Sequence, residues 1–152
     1  MIANIMLQVG DWDSLKQQLM PIREAVFIQE QQVPVELEWD AYDQIATHLL
    51  VQDQRQAGIG CARLLFNTQS ANNHIQIIAK LGRMAVMKSH RRQGIGRALI
   101  NTAIEIAQIN KQHTIQLSAQ VQAVTFYEKS GFQVMSTPYL DANIWHVDMV
   151  KR

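Results

Sequence analysis

The stretch LGRMAVMKSHRRQGIGRALINTAIEIAQIN, Leu81 to Asn110, reads as a strand ending at Met87, a basic turn holding two glycines, and a long helix. Alternation along the strand sends Met84 and Val86 to one side and Arg83, Ala85 and Met87 to the other. Gly94 and Gly96 carry no Cβ, so the backbone here can bend close to something large. Behind them Ile95, Leu99, Thr102, Ile106 and Ile109 recur at helical spacing, thickened by Ala98 and Ala103. Arg97, Asn101, Glu105 and Gln108 form the narrow polar face. A first helical turn has unpaired N–H groups, and with Arg91 and Arg92 in front of it the segment predicts an anion site. A pyrophosphate is the expected anion.

Two common phosphate loops are excluded. A Walker loop needs Lys-Ser or Lys-Thr after its last glycine, where Arg97-Ala98 stands. A dinucleotide fingerprint needs a third glycine at position 99, which is Leu99. What remains is R-x-x-G-x-G at Arg91, Gly94 and Gly96, directly after a strand. This resembles the acyl-CoA loop of the GNAT superfamily of N-acetyltransferases. A glycine-rich turn before a core helix is the alternative reading of the hexad alone.

Outward from the loop, SAQVQAVTFYEKSGF (Ser118 to Phe132) is similar to the second signature of that superfamily, a helix carrying Tyr127 and ending in Lys129, Gly131 and Phe132. Many members have an Asn shortly after the fifth strand, where this chain has Gln120 or Gln122. Upstream, Arg23, Val26, Phe27, Glu30 and Gln31 resemble the ElaA-like branch. So do Asp40, Asp43, His48, Ala62-Arg63, Gly82-Arg83, and His146 with Met149. The resemblance runs in order from about Ile22 to Met149.

The remaining pattern predicts a first strand over Asn4 to Val9 and a helix capped by Asp13 or Ser14, with Leu15, Leu19, Ile22 and Val26 on one face and a kink or break at Pro21. VPVELEWDAYD, if extended, projects Glu36, Glu38 and Asp40 to one side. Its acids read either as a negative mouth for an amine or as a solvated loop with an apolar anchor. Thr47 to Gln52 and Ile59 to Phe66 form a hairpin, Asn67 to Asn73 a polar loop, and Ile75 to Met87 one strand or two pieces broken near Gly82. Thr114 to Ala119 is a strand parallel to the one before the central helix, by the right-handed crossover rule. Val121 to Ser130 is a short helix stopped by Gly131, and Phe132 to Ser136 and Ile144 to Val150 are two closing strands around Pro138. The fold class is mixed α/β: one domain over residues 1–152, a mixed sheet of about seven strands and three to four helices.

With 47% apolar and 18% charged residues in 152, the composition is that of a globular domain and not a disordered one. The lone Cys61 excludes an internal disulfide, and no apolar run or leader-like start points to a membrane, so cytoplasm is the expected compartment. A net charge of +1 argues against bulk nucleic-acid binding, although Lys88, Arg91, Arg92 and Arg97 leave a local basic patch. Charge is divided: residues 1–53 carry −7 and the remainder +8. His48, His74, His90, His113 and His146 lack metal-ligand spacing, and no metal is expected. The resemblance implies that His48 and His146 line the acceptor pocket, while a satisfied structural histidine is the alternative for each. Arg63 and Arg83 lie within apolar strands and need partners, which the acids between Glu30 and Asp43 would supply.

The resemblance implies direct acetyl transfer from acetyl-CoA, as co-substrate, to a small-molecule or peptide amine. It implies cofactor contacts at Met84, Ala85 and Val86, at Arg91, Arg92, Gln93, Gly94, Ile95, Gly96, Arg97 and Ala98, and at Gln120, Phe126, Tyr127 and Lys129. Tyr127 is the expected acid. The superfamily often places a basic Glu on the fourth strand, and none stands between Ile75 and Met87, which leaves Glu30, Glu38, Asp40, Asp43 and His48 as candidate bases. A homodimer is a further expectation from the resemblance, and a non-catalytic acyl-CoA sensor is the alternative function.

Overall fold

The computed structural model describes residues 4–71, 74–112 and 114–152. Its apolar runs become eight strands of one sheet. β1 (Met6–Gly10) leads into α1 (Trp12–Arg23), a π-helical turn (Glu24–Glu30), the single-turn α2 (Val35–Glu38) and a 3-10 turn (Ala41–Gln44). β2 (Thr47–Gln52), β3 (Gly58–Ala71) and β4 (His74–Val86) follow, then α3 (Ile95–Ile109), β5 (Ile115–Gln120) and α4 (Val124–Glu128). β6 (Gln133–Val134), β7 (Tyr139–Asp141) and β8 (Ile144–Lys151) complete the chain. The strand order is β1-β2-β3-β4-β5-β8-β6, with β7 also on β8. Among the described residues only β4 and β5 run parallel, joined by α3 as a crossover.

Each face of the sheet is covered by one long helix. α3 lays Leu99, Ile100 and Ala103 on Leu49, Leu64, Leu81, Leu117 and Met149, while α1 lays Leu15, Leu19 and Ile22 on Leu50, Cys61 and Ala85. Burying one such aliphatic side chain contributes about 1.5–3 kcal/mol, so these two layers hold the sheet rigid beneath its loops.

Several elements differ from the sequence expectation. α1 is capped by Asp11, whose carboxylate accepts the Ser14 N–H at 2.9 Å, not by Asp13 or Ser14. Pro21 does not end the helix: its ring faces solvent, and the chain widens into the π-helical turn just after it. Val35–Glu38 is helical instead of extended, started by Pro34. Asn67–Ala71 is strand, paired with His74–Ile78; Asn72 and Asn73 lie outside the described residues, as does His113. This ribbon projects past the last β2 pair (Thr47 with Leu64) and the first β5 pair (Ile115 with Ala79). In α3, Ile109 is 80% exposed, and Ile100 and Ala107 take the buried positions as the face rotates around the axis. An extra strand, β7, arises because Ala142 and Asn143, both left-handed at φ 49 and 66, make a tight hairpin into β8.

Candidate active site

β4 and β5 pair only from Ala79 with Ile115 to Leu81 with Leu117. Beyond that point Gly82–Val86 pairs with β3 and Ser118–Gln120 with β8, leaving two facing backbone edges apart. Part of the cause lies in β4, where the register with β3 slips between Cys61 and Arg63. Arg83 takes up the extra residue in a left-handed conformation, φ 47, which bends the strand. The opening is a cleft of about 590 Å³. Met84, Ala85 and Val86 line it on one side, and Ser118 and Gln120 on the other. Unpaired strand edges of this kind accept an extended ligand as an added strand.

The loop after β4 closes one end. Arg92 (φ 62) and Gly94 (φ 86) are left-handed, and α3 starts at Ile95 with no side-chain cap. Alternating handedness of this sort turns successive N–H groups toward one point, and the helix dipole adds to the pull on an anion. A Cβ at Gly96 would come 2.9 Å from the Phe126 ring, so the bare backbone and that ring are packed together. Arg91, Arg92, Gly94, Gly96 and Arg97 line the cleft. Ile95 does so as well, although its side chain belongs to the core. Gln93, Ala98 and Lys129 do not line it. Arg91 donates its Nε to the Val86 carbonyl at 2.9 Å and holds both Glu30 oxygens at 2.6 and 2.7 Å.

Tyr127, on α4, lines the cleft, its hydroxyl donating to Met84 Sδ at 3.7 Å. Burial pushes its phenol up to about 12, so it is protonated at neutral pH. Phe126 and Phe132 pack edge-on against its ring and fix its direction. Gln120 donates to Gln31 Oε1 at 2.8 Å, tying β5 to the end of the π-helical turn.

All of the candidate bases but Glu38 are placed elsewhere. Arg23, only 1% exposed, lies between the Trp12 and Trp39 rings, donates Nε to Glu38 at 2.6 Å and Nη1 to Asp43 at 2.7 Å. Arg63 donates to Asp40 at 2.7 Å and Asp43 at 3.1 Å, and Arg83 to Asp40 at 3.1 Å. Arg63 and Arg83 therefore find partners among the acids of this segment, in a cluster of three guanidiniums and three carboxylates. Burial raises the Asp40 carboxyl, but Arg63 and Arg83 outweigh it and hold it below the usual range. Burial keeps Glu38 above its ordinary range against the pull of Arg83 and Arg23. His48 is buried, Nε2 at 2.9 Å from the Asp43 carbonyl, its ring on Trp12; burial holds it below the ordinary imidazole range. Of these groups and Glu30, Glu38 alone lines the cleft, with one oxygen committed to Arg23. Ion pairs occupy Glu30, Asp40 and Asp43 and burial encloses His48, and none of the four lines the cleft. Asp141, Ile144 and His146, from the β7–β8 hairpin, line the cleft instead. Sequence alone marked only His146 among them.

Comparison with known proteins agrees with this geometry. The family model for the acetyltransferase (GNAT) domain matches residues 13–152. The uncharacterized N-acetyltransferase YjcF of Bacillus subtilis is 36% identical over 132 residues, 86% of this chain and 87% of that protein. The crystal structure of Escherichia coli ElaA superposes with a TM-score of 0.82 at 22% identity, covering 97% of this chain and 99% of that one, which shows a shared fold. The NatC complex bound to Gag peptide and CoA superposes at 0.72 with 18% identity, covering 98% of each chain. Since the family match takes in both halves of the cleft and the loop between them, the chain belongs to the GNAT acetyltransferase family and is an acyltransferase.

Proposed function

We propose that this acyltransferase moves an acetyl group from acetyl-CoA straight to a primary amine, with both substrates in the cleft together. One observation carries the reading: the unpaired edges of β4 and β5 line one cleft together with the loop residues Arg92, Gly94, Gly96 and Arg97 and with Tyr127. The residues present fit such a donor. The N–H groups of the loop, with the Arg92 and Arg97 side chains, would hold its pyrophosphate, and the free edge at Met84–Val86 would pair with its pantetheine arm. When bound, acetyl-CoA supplies a thioester, a carbonyl carbon open to a nucleophile beside a sulfur that leaves. The chain's own part is orientation, a main-chain N–H near Met84–Val86 aimed at developing negative charge, and the proton on Tyr127. The acceptor is a small-molecule or peptide amine. The NatC structure, which holds a Gag peptide and CoA, offers a precedent for a peptide on this fold.

The test is thiol release from acetyl-CoA over a panel of amines: polyamines, amino acids and peptide N-termini. Amine-dependent, saturable release is expected. Saturable cofactor binding with no release for any amine would favour a sensor over an enzyme.

A further inference from the structure

We propose that His146 is the base that takes the proton from the acceptor's ammonium, through its Nε2. The inference rests on the acetyl-transfer reading and adds the proton acceptor that reading lacks. A primary ammonium with an ordinary pKa of about 10.4 cannot attack until it is deprotonated.

His146 sits on β8 opposite Gln120 of β5 and Tyr139 of β7, and its half-buried ring lines the cleft. Its Nδ1 is 2.7 Å from the Ile144 carbonyl oxygen. A carbonyl can only accept, so Nδ1 carries the hydrogen and the neutral ring keeps its lone pair on Nε2. Among the described residues Nε2 has no hydrogen-bond partner, and it is not sealed from solvent. The ring is also held in place: it stacks on Tyr139 at 6.0 Å and 21°. Tyr139 in turn donates to Asp148 at 2.6 Å and meets the Ser118 hydroxyl. The titratable groups on this face are therefore Tyr139 and Asp141 from β7 and Asp148 from β8; β5 presents the neutral Ser118 and Gln120. Nothing among them takes Nε2.

The other ionisable groups of the cleft serve less well. Glu38 is gripped by Arg23, Asp141 is exposed at a hairpin tip, and His90 pairs with Ser89 just ahead of the arginine loop. Asp141 is suited to attracting the ammonium.

The protons balance. The ammonium loses two on becoming an amide. The first passes to Nε2 and from the imidazolium to solvent. The C–N bond then forms and the C–S bond breaks, with the Tyr127 proton going to the departing sulfur. The second nitrogen proton restores Tyr127 through solvent, leaving one proton released overall.

His146→Asn tests this, because the Asn amide can still donate to the Ile144 carbonyl. With an amine the wild type turns over, kcat should fall about 100-fold or more at neutral pH. Binding of acetyl-CoA, measured by calorimetry, should be unchanged, which also reports an intact fold. The variant's rate should climb about tenfold per pH unit toward the amine's own pKa, while the wild type levels off earlier. Wild-type kcat in the variant, or a loss equal at every pH, would overturn the assignment. The same signature in Asp141→Asn and not in His146→Asn would move the role to Asp141. No wild-type turnover with any amine would instead sink acetyl transfer, and the base with it.

Discussion

Tyr127 has two polar options in its pocket, the Met84 sulfur and whatever enters the cleft. A thioether is a weak acceptor, so the phenol proton is free to go to a better one. Burial holds that proton to about pH 12, well above the neutral range. We predict that Tyr127→Phe lowers kcat about 100-fold while the acetyl-CoA dissociation constant moves less than about threefold. Steady-state kinetics beside calorimetric binding checks it; an equal loss in both would make Tyr127 a packing residue. The wild-type rate should also show no alkaline fall from this group below about pH 10, because the raised phenol is still protonated there. Tyr127 was legible in the sequence through its place before Lys129 and Gly131. The ion-pair cluster was legible in part: Arg63 and Arg83 pair with the acids expected of them, but Arg23, 20 residues before Asp43 and on a helix face read only for its apolar residues, carried no local sign of its pairing.

At the scale of the element, the segment from β4 through the loop to α3 joins binding to fold. Glycine spacing and helical periodicity located it, but not the bulge at Arg83, a residue with no glycine-like signal for its positive φ. Nor did alternation reveal α2, where Pro34 starts a helical turn in a run that also scans as a strand. Gly96 gives a direct test. Because a Cβ there would meet the Phe126 ring at 2.9 Å, Gly96→Ala must displace that ring, which lines the cleft beside the amide loop. Phe126 is 38% exposed and can swing, so the fold should tolerate the change. We expect acetyl-CoA affinity to weaken about tenfold, a loss of about 1.4 kcal/mol, with little change in Tm. Adding Phe126→Leu should recover much of it if the ring is the cause, a coupling that a double-mutant cycle measures.

Over the whole molecule, charge is divided between −7 for residues 1–53 and +8 for the remainder. Part of it is spent on architecture: Glu38, Asp40 and Asp43 pin the α2 segment to Arg23 of α1, Arg63 of β3 and Arg83 of β4. The cluster thereby fixes the wall of the cleft against the sheet. Arg23 is its most buried cation, and removing it leaves Glu38 and Asp43 short of a partner where water cannot replace it. Arg23→Met, close in volume, should destabilise the protein by about 3–5 kcal/mol and lower Tm by about 10 °C. The sign of its pH dependence follows from Glu38. Burial already raises that carboxyl, and losing Arg23 raises it further, so folding of the variant favours the protonated acid. A folded pKa above the unfolded one destabilises most at high pH and is relieved as pH falls through it. The difference in Tm from wild type should therefore be larger at pH 8 than at pH 5 by calorimetry. Equal losses at the two pH values would mean that Arg23 matters for its packing between Trp12 and Trp39 and not for its charge.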